Sequence, residues 1–429
     1  MKLKVLIGLN IFVFSAFSVF SQTASPTTTP TRERIVVGSS ATPGKTESTK
    51  RIVVTNTLLS PAPTPSSRPA ATPVRTQTNN SFAAAESNIT SSLAFGQLKS
   101  KIAEAKRQMQ ARPLPTALTD SFLVTDVIRI AFHDWDTQQL DYAAMTKDNF
   151  LSRGAEIPTT SSNGKSVRVR IIRANGVNTP VMIFDEKNRA HLPLLVQYPI
   201  VRDGQYIETA YYISTHPGLV TIETVNAGKF YVRNTLDVAR EKLREKKFYI
   251  QPRIVDIAER LAVVEHVDHQ RFWNEFHNNI YNEIYTLFAM NEGGTYRYSV
   301  STAGAGGMVQ MIPSTYRMIR ARFPGANLMP DFVEGMRDHV NASQAMLLYM
   351  QLTWNDLIAN QTVQNAVESG IATQEQLISA GYNSNPARLP LYIRRGGANW
   401  ATLIPRETKI YLQIYSSMER FVAIPARTK

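Results

Sequence analysis

The 429-residue chain contains no cysteine. That excludes a disulfide scaffold, a cysteine nucleophile, a thiolate zinc site and lipid on an N-terminal cysteine. Charged residues are also scarce, at 19%, below the usual quarter. After residue 21 no segment is apolar for the roughly 20 residues that a membrane span needs. The net charge of +13 invites a polyanion partner, but the excess is local. Residues 1–80 hold nine Lys/Arg against two Asp/Glu. The remainder is nearly balanced, so no nucleic-acid partner is expected. What is present suffices for a core: 43% of residues are apolar and 9% aromatic. The length suggests two or three domains at roughly 150 residues each.

Lys2 and Lys4 precede an apolar run from Val5 to Phe20. A positive start and a short apolar stretch read as a signal peptide over 1–21, cleaved after Ser21. The body is then exported, to the periplasm or cell envelope. An uncleaved signal would instead act as a membrane tether. Residues 22–80 hold 14 Thr, 7 Ser and 8 Pro among 59 positions, with no aromatic residue. Such a stretch has too little apolar surface to offset its ordering entropy, so 22–90 reads as a disordered linker. Within it, Arg34-Ile35-Val36-Val37 recurs as Arg51-Ile52-Val53-Val54. Two β-prone islands of this kind can dock as added strands, although a chance repeat in simple sequence is the blander reading.

Residues 91–250 read as a mixed α/β module of unknown role. Leu98, Ile102 and Met109 share one face of a helix over 92–111, ended by Arg112-Pro113. A strand is expected over 122–132. Further β-type runs follow over 167–174, 180–184, 192–198, 206–214, 219–224 and 229–233, mostly separated by turn residues. His133-Asp134-Trp135-Asp136 reads as a surface turn. From Thr235 the period becomes helical, and 251–429 reads as an all-α domain. The fold class is therefore α+β. His266 and His269 stand at metal-ligand spacing, but no HExxH is present. A solvated polar face on a helix over 254–270 explains them, so no metal or cofactor is expected.

Ile280, Ile284, Leu287 and Phe288 form one helical stripe, and Glu292 is its next step. Gly293-Gly294 then stops the helix. Desolvation and the negative pole of the helix are expected to raise the pKa of this carboxyl, which suits a general acid. The run onward is NEGGTYRYSVSTAGAGGMVQMIPST, Asn291 to Thr315. It resembles the catalytic core of the soluble-type lytic transglycosylases, which share a lysozyme-like fold with goose-type lysozyme. That family's Glu at a helix end corresponds to Glu292. Its Ser-x-x-Gly-Ala-x-Gly-Leu-Met-Gln-x-x-Pro motif corresponds to Ser301–Pro313. Ala380–Pro386 resembles the family's Ala-Tyr-Asn-Ala-Gly signature. Leu403–Tyr411 resembles its closing Pro-x-x-Glu-Thr-x-x-Tyr signature. The chain departs from the pattern at Gly293, Met308-Val309, Gly381 and Asn385. The resemblance covers roughly 275–415.

The resemblance implies an exported enzyme that cuts the β-1,4 bond between N-acetylmuramic acid and N-acetylglucosamine in peptidoglycan strands. Glu292 would act as general acid and then base, leaving a 1,6-anhydro end. Ser301, Met308, Gln310, Tyr382, Asn383, Glu407 and Tyr411 would contact substrate or brace the groove, with Tyr382 orienting Glu292. The glycines and alanine of 304–307 would let backbone approach the sugar. A lysozyme-type hydrolase on the same fold and a non-catalytic peptidoglycan-binding protein are the alternatives.

Overall fold

A computed structural model describes residues 93–112, 126–202 and 205–428, with the backbone of Arg34–Val36. The signal segment 1–21 and most of the linker lie outside the described residues. The architecture is mixed α+β: an antiparallel sheet curled nearly into a barrel, then a helical C-terminal region.

Helix α1 (Phe95–Ala111) buries Leu98, Ile102, Ala105 and Met109, the stripe expected from the sequence. It lies against the sheet, where Arg129 donates to the carbonyls of Met109 at 2.9 Å and Arg112 at 2.6 Å. The strands are β2 (Val127–His133), β3 (Leu140–Thr146), β4 (Glu156–Thr160), β5 (Ser166–Ile171), β6 (Val181–Asp185), β7 (Ala190–Arg202) and β8 (Gln205–Ile213). Their order is β3-β2-β7-β6-β5-β4, with β8 also on β7. β4 returns towards β3, where Thr159 Oγ1 donates to the Ala144 carbonyl at 3.1 Å and the Ser162 N–H to that of Tyr142 at 2.8 Å. Alternation drives this curl: β5 buries Val167, Val169 and Ile171 and turns Arg168 and Arg170 outward.

The His133–Asp136 segment is a surface turn only in its second half: Trp135 and Asp136 lie in a turn with Asp136 exposed, whereas His133 and Asp134 are buried. Lys165 Nζ donates to Asp134 at 3.0 Å and to Asp136 at 2.8 Å. Burial opposes ionisation of Asp134, but the Asp136 N–H and Lys165 outweigh it and hold the carboxyl below its usual range.

Two of the expected strands, 219–224 and 229–233, are helix instead. After the short helix α2 (Lys147–Phe150), helix α3 runs Ile222–Glu245 and buries Val225, Val232, Leu236, Ala239 and Leu243 at helical spacing. Thr221 caps it by accepting from the Thr224 N–H at 3.2 Å. Gly228 marks a close crossing with the later helix over 277–291, since a Cβ there would lie 1.9 Å from the Tyr285 carbonyl oxygen. The helical region thus starts at Ile222, within the stretch assigned to the module. The described residues belong to one compact unit.

The helices that matter for the site are α4 (Pro252–Val264), α5 (His269–Asn274) and α6 (His277–Asn291). They are followed by α7 (Pro313–Arg322), α8 (Phe332–Arg337) and α9 (His339–Ile358). The chain closes through α10 (Gln361–Glu368), α11 (Gln374–Asn383), α12 (Leu389–Gly396) and α13 (Arg406–Phe421). Helix α4 is buried nearly all round, as a helix apolar on every face must be. It forms the spine of this region. No helix among the described residues is long and apolar enough to cross a membrane.

One short strand pair joins the linker to the site. β1 (Arg34–Val36) pairs antiparallel with β9 (Ser299–Ser301), with Ile35 opposite Val300. The linker therefore contributes a strand, as the repeated island allowed.

Candidate active site

Helix α6 buries Ile280, Ile284, Leu287 and Phe288 as expected. It ends at Asn291, and Glu292 leaves it with φ 46° and ψ −126°. The Glu292 side chain is 58% exposed and pairs with Lys99 Nζ at 3.1 Å. The expected desolvation is therefore missing, because the turn swings the carboxylate off the apolar stripe. Burial pushes the neighbouring Tyr231 hydroxyl up to about 12, and the Glu292 charge adds to that shift.

Tyr382 does not orient Glu292. Its buried hydroxyl donates to the Val309 carbonyl at 2.7 Å. Tyr411 is also buried, and its hydroxyl donates to Glu265 Oε1 at 2.8 Å. Glu265 caps the C-terminal end of α4, half-buried and still helical at φ −59° and ψ −17°. It extends the fully buried steps Ile254, Ala258 and Leu261 of that helix. A carboxylate at this end faces the negative pole of its helix. Glu265 thus combines a helix-end position like that of Glu292 with the burial that Glu292 lacks.

The loop after β9 is fastened around this helix end. His266 is buried, not solvated, and its Nε2 lies 2.8 Å from the Met308 carbonyl oxygen. Tyr296 stacks flat on the His266 ring at 3.4 Å and 3°. The Tyr296 N–H donates to the hydroxyl of Tyr212 on β8 at 2.8 Å. A column therefore runs from the sheet through Tyr212, Tyr296 and His266 to Met308. The sheet and the loop are thus joined through these contacts.

The remaining expected residues build the loop and its surroundings. Ser301 Oγ accepts from the Ala305 N–H at 2.9 Å and is buried. Met308 is fully buried, and Gln310 is buried with its Nε2 donating to the Gly307 carbonyl at 2.8 Å. Neither Met308 nor Gln310 offers the exposed groove surface expected of it. Gly307 has φ +67°, and a Cβ there would lie 2.3 Å from the Met336 carbonyl oxygen. It is needed for packing against α8, not for approach of a sugar. Asn383 Oδ1 accepts from Thr408 Oγ1 at 2.9 Å and ties α11 to α13. Glu407 sits half-buried in the first turn of α13.

Three of the motif stretches, Ser301–Pro313, Ala380–Pro386 and Leu403–Tyr411, thus share hydrogen bonds with one another or with Glu265 and His266. Among the described residues, Glu292 bonds through its carboxylate to Lys99 alone. The periodicity of α4 could have flagged Glu265, but the resemblance of the run from Asn291 to Thr315 drew the assignment to Glu292. Helices α5 and α6 lie between Glu265 and the loop it serves, so sequence distance hid the pair.

Asp134, Asp136 and His191 are the metal-capable group among the described residues. Lys165 Nζ already occupies their centre. No family model, curated protein or solved structure matches the chain.

Proposed function

We propose that this chain is a lysozyme-like peptidoglycan lytic transglycosylase, with Glu265 in the role that the motif resemblance gave to Glu292. The observation that carries the reading is the Tyr411–Glu265 hydrogen bond of 2.8 Å. It links the closing motif to a half-buried carboxylate at a helix end, beside a loop gripped by His266 and Tyr382. In its protonated form Glu265 protonates the glycosidic oxygen as the bond breaks. The resulting carboxylate takes the proton of the muramyl 6-hydroxyl, whose oxygen closes on the anomeric carbon. One group gives a proton and regains one, so no metal or cofactor is required. Because nucleophile and electrophile share one sugar, the closing step is intramolecular and entropically favoured. Tyr411 donates to the carboxylate form and steadies it between the two transfers. Export to the cell envelope belongs to the same reading.

The test is a wall-cleavage assay on wild type, Glu265→Gln and Glu292→Gln in parallel. Glu265→Gln abolishes clearing and Glu292→Gln retains it, with products that carry anhydro ends one water lighter than reducing ends. Loss of activity in Glu292→Gln alone would return the role to that residue. Reducing ends would favour the hydrolase. A wild type that binds wall and never cuts it would favour the non-catalytic binder.

A further inference from the structure

The helical region holds a cleft of about 1040 Å³ between α5, the start of α6, the start of α11 and α13. Glu265, Tyr382, Tyr411 and the Ser301–Pro313 loop are not among its walls. Its floor is aromatic and wet. Trp273 is 58% exposed, Phe276 60% and Phe421 40%. Three large rings left in water at one place mark a binding surface.

The rings are held ready. Phe272 stacks on His277 at 4.0 Å, and Phe276 meets Phe421 edge-on at 5.5 Å. Arg271, two residues before Trp273, is clamped by Glu275 at 2.5 Å and Glu283 at 2.7 Å. A surface fixed beforehand loses little entropy when a ligand arrives.

The rim selects the ligand class. Gln376, Gln413 and Ser416 supply amide and hydroxyl groups. Three acids line the cleft: Glu275 pairs with Arg271 at 2.5 Å, Glu375 pairs with Arg253 at 2.6 Å, and Glu419 shares the wall with the cations Lys409 and Arg420. A cleft with little net field does not favour a polyanion. Flat apolar rings beside neutral hydrogen-bonding groups fit a ligand with apolar faces and polar edges. A pyranose has that form, and its N-acetyl group adds an amide for the glutamines.

We propose that this cleft is a second glycan-binding site, which holds an N-acetylated sugar strand and takes no part in bond cleavage. The choice of N-acetylated glycan rests on the proposed function. The site itself is tested without turnover.

The experiment uses the full chain, chitohexaose as the probe and hydrogen exchange over residues 269–277 as the local readout. The variants are Trp273→Leu, which keeps an apolar side chain but no ring, and Trp273→Tyr, which keeps a ring. Wild type and Trp273→Tyr gain protection over this segment when the sugar is added. Trp273→Leu gains none, and its co-sedimentation with purified wall weakens about tenfold, as expected for loss of one aromatic anchor. Protection in Trp273→Leu equal to wild type would overturn the proposal. So would a change of oligomeric state in Trp273→Leu by gel filtration, which would make the cleft a face between copies. If wild type shows the local protection but never cuts wall, the second site stands and the proposed function falls.

Discussion

Tyr411 and Glu265 lie 146 residues apart in the chain and meet through one hydrogen bond of 2.8 Å. The tyrosine comes from the inner face of α13, and the carboxylate from the end of a helix buried nearly all round. Charge-assisted bonds of this kind are stronger than neutral ones. The bond also fixes the direction of a side chain that would otherwise rotate.

Tyr411→Phe should therefore keep the fold and lose turnover. The ring stays packed, and only the hydroxyl that holds the Glu265 carboxylate goes. The expected fall in kcat is on the order of tenfold to a hundredfold, the equivalent of about 1.5–3 kcal/mol for one hydrogen bond to a charged group. KM should change little, because the hydroxyl acts on the acid rather than on the sugar. Steady-state kinetics on soluble glycan strands check this, and an unchanged kcat would detach Tyr411 from the chemistry.

Glu292→Gly should be neutral or stabilising. Glu292 sits at φ 46° and ψ −126°, a sparsely populated conformation that costs a side-chain-bearing residue about 1–3 kcal/mol and glycine almost nothing. The substitution gives up the pair with Lys99, but both partners are half-exposed or more, so that loss is under about 1 kcal/mol. Thermal unfolding measures the balance. A variant that melts well below wild type would mean that Glu292 holds contacts beyond Lys99.

The sequence resolved some layers of this molecule and not others. Helix α1 and β5 were readable because their apolar residues follow one period, and β6 to β8 because they are apolar or β-branched and aromatic runs bounded by turn residues. Helix α3 was misread where Ile222, Val225, Phe230, Tyr231 and Val232 supply β-prone side chains. Packing against α6 at Gly228 and the Thr221 cap override that local preference. The motif stretches were legible as sequence, but their partners were not. Tyr382 to Val309, His266 to Met308 and Tyr411 to Glu265 are tertiary bonds that no spacing rule contains. Glu292 drew the assignment because it is near the loop along the chain, whereas Glu265 is tied to the same group of motifs in space.

Stability should fall as pH drops below the ordinary histidine range. His216 is fully buried, and burial pushes it down to about 4. Its Nδ1 accepts from the Gly218 N–H at 3.0 Å, and protonation would remove that acceptor. The folded pKa lies below the unfolded value near 6.5, so the unfolded chain takes up the proton first as pH falls. The contribution is complete above about pH 6.5 and is lost progressively down to about pH 4. The limiting slope is on the order of 1.4 kcal/mol per pH unit for one such group. Burial also lowers His339, His191 and His133, which act in the same direction. His216→Asn keeps an acceptor for Gly218 without a titrating ring, and should flatten the curve between pH 4 and 6.5. Denaturant unfolding across that range decides it, and parallel curves for variant and wild type would remove His216 as a contributor.

Removal of residues 22–90 should leave the helical region folded and expose one backbone amide beside the site. On one side of β9 the Ser301 N–H donates to the Ala305 carbonyl at 2.8 Å, and the Ser299 carbonyl accepts from the Gly307 N–H at 3.2 Å. Along a strand, backbone groups alternate in direction, so the N–H and C=O of Val300 face the other edge. There Ile35 of β1 lies opposite. Without β1 those groups turn to water, and an edge strand with open groups is a template for any extended segment. The three-residue pairing is too short to hold the fold, so the melting temperature should change little. The amide of Val300 should lose hydrogen-exchange protection, while those of Ser301 and Gly307 keep theirs. Mass spectrometry of exchanged peptides, with site resolution across Ser299–Gly307, reads the three amides separately. Full protection of Val300 in the truncated chain would show that β1 does not cover this edge. Addition of a peptide bearing the Arg51–Val54 island should restore the protection, because it repeats the Arg-Ile-Val-Val sequence of Arg34–Val37.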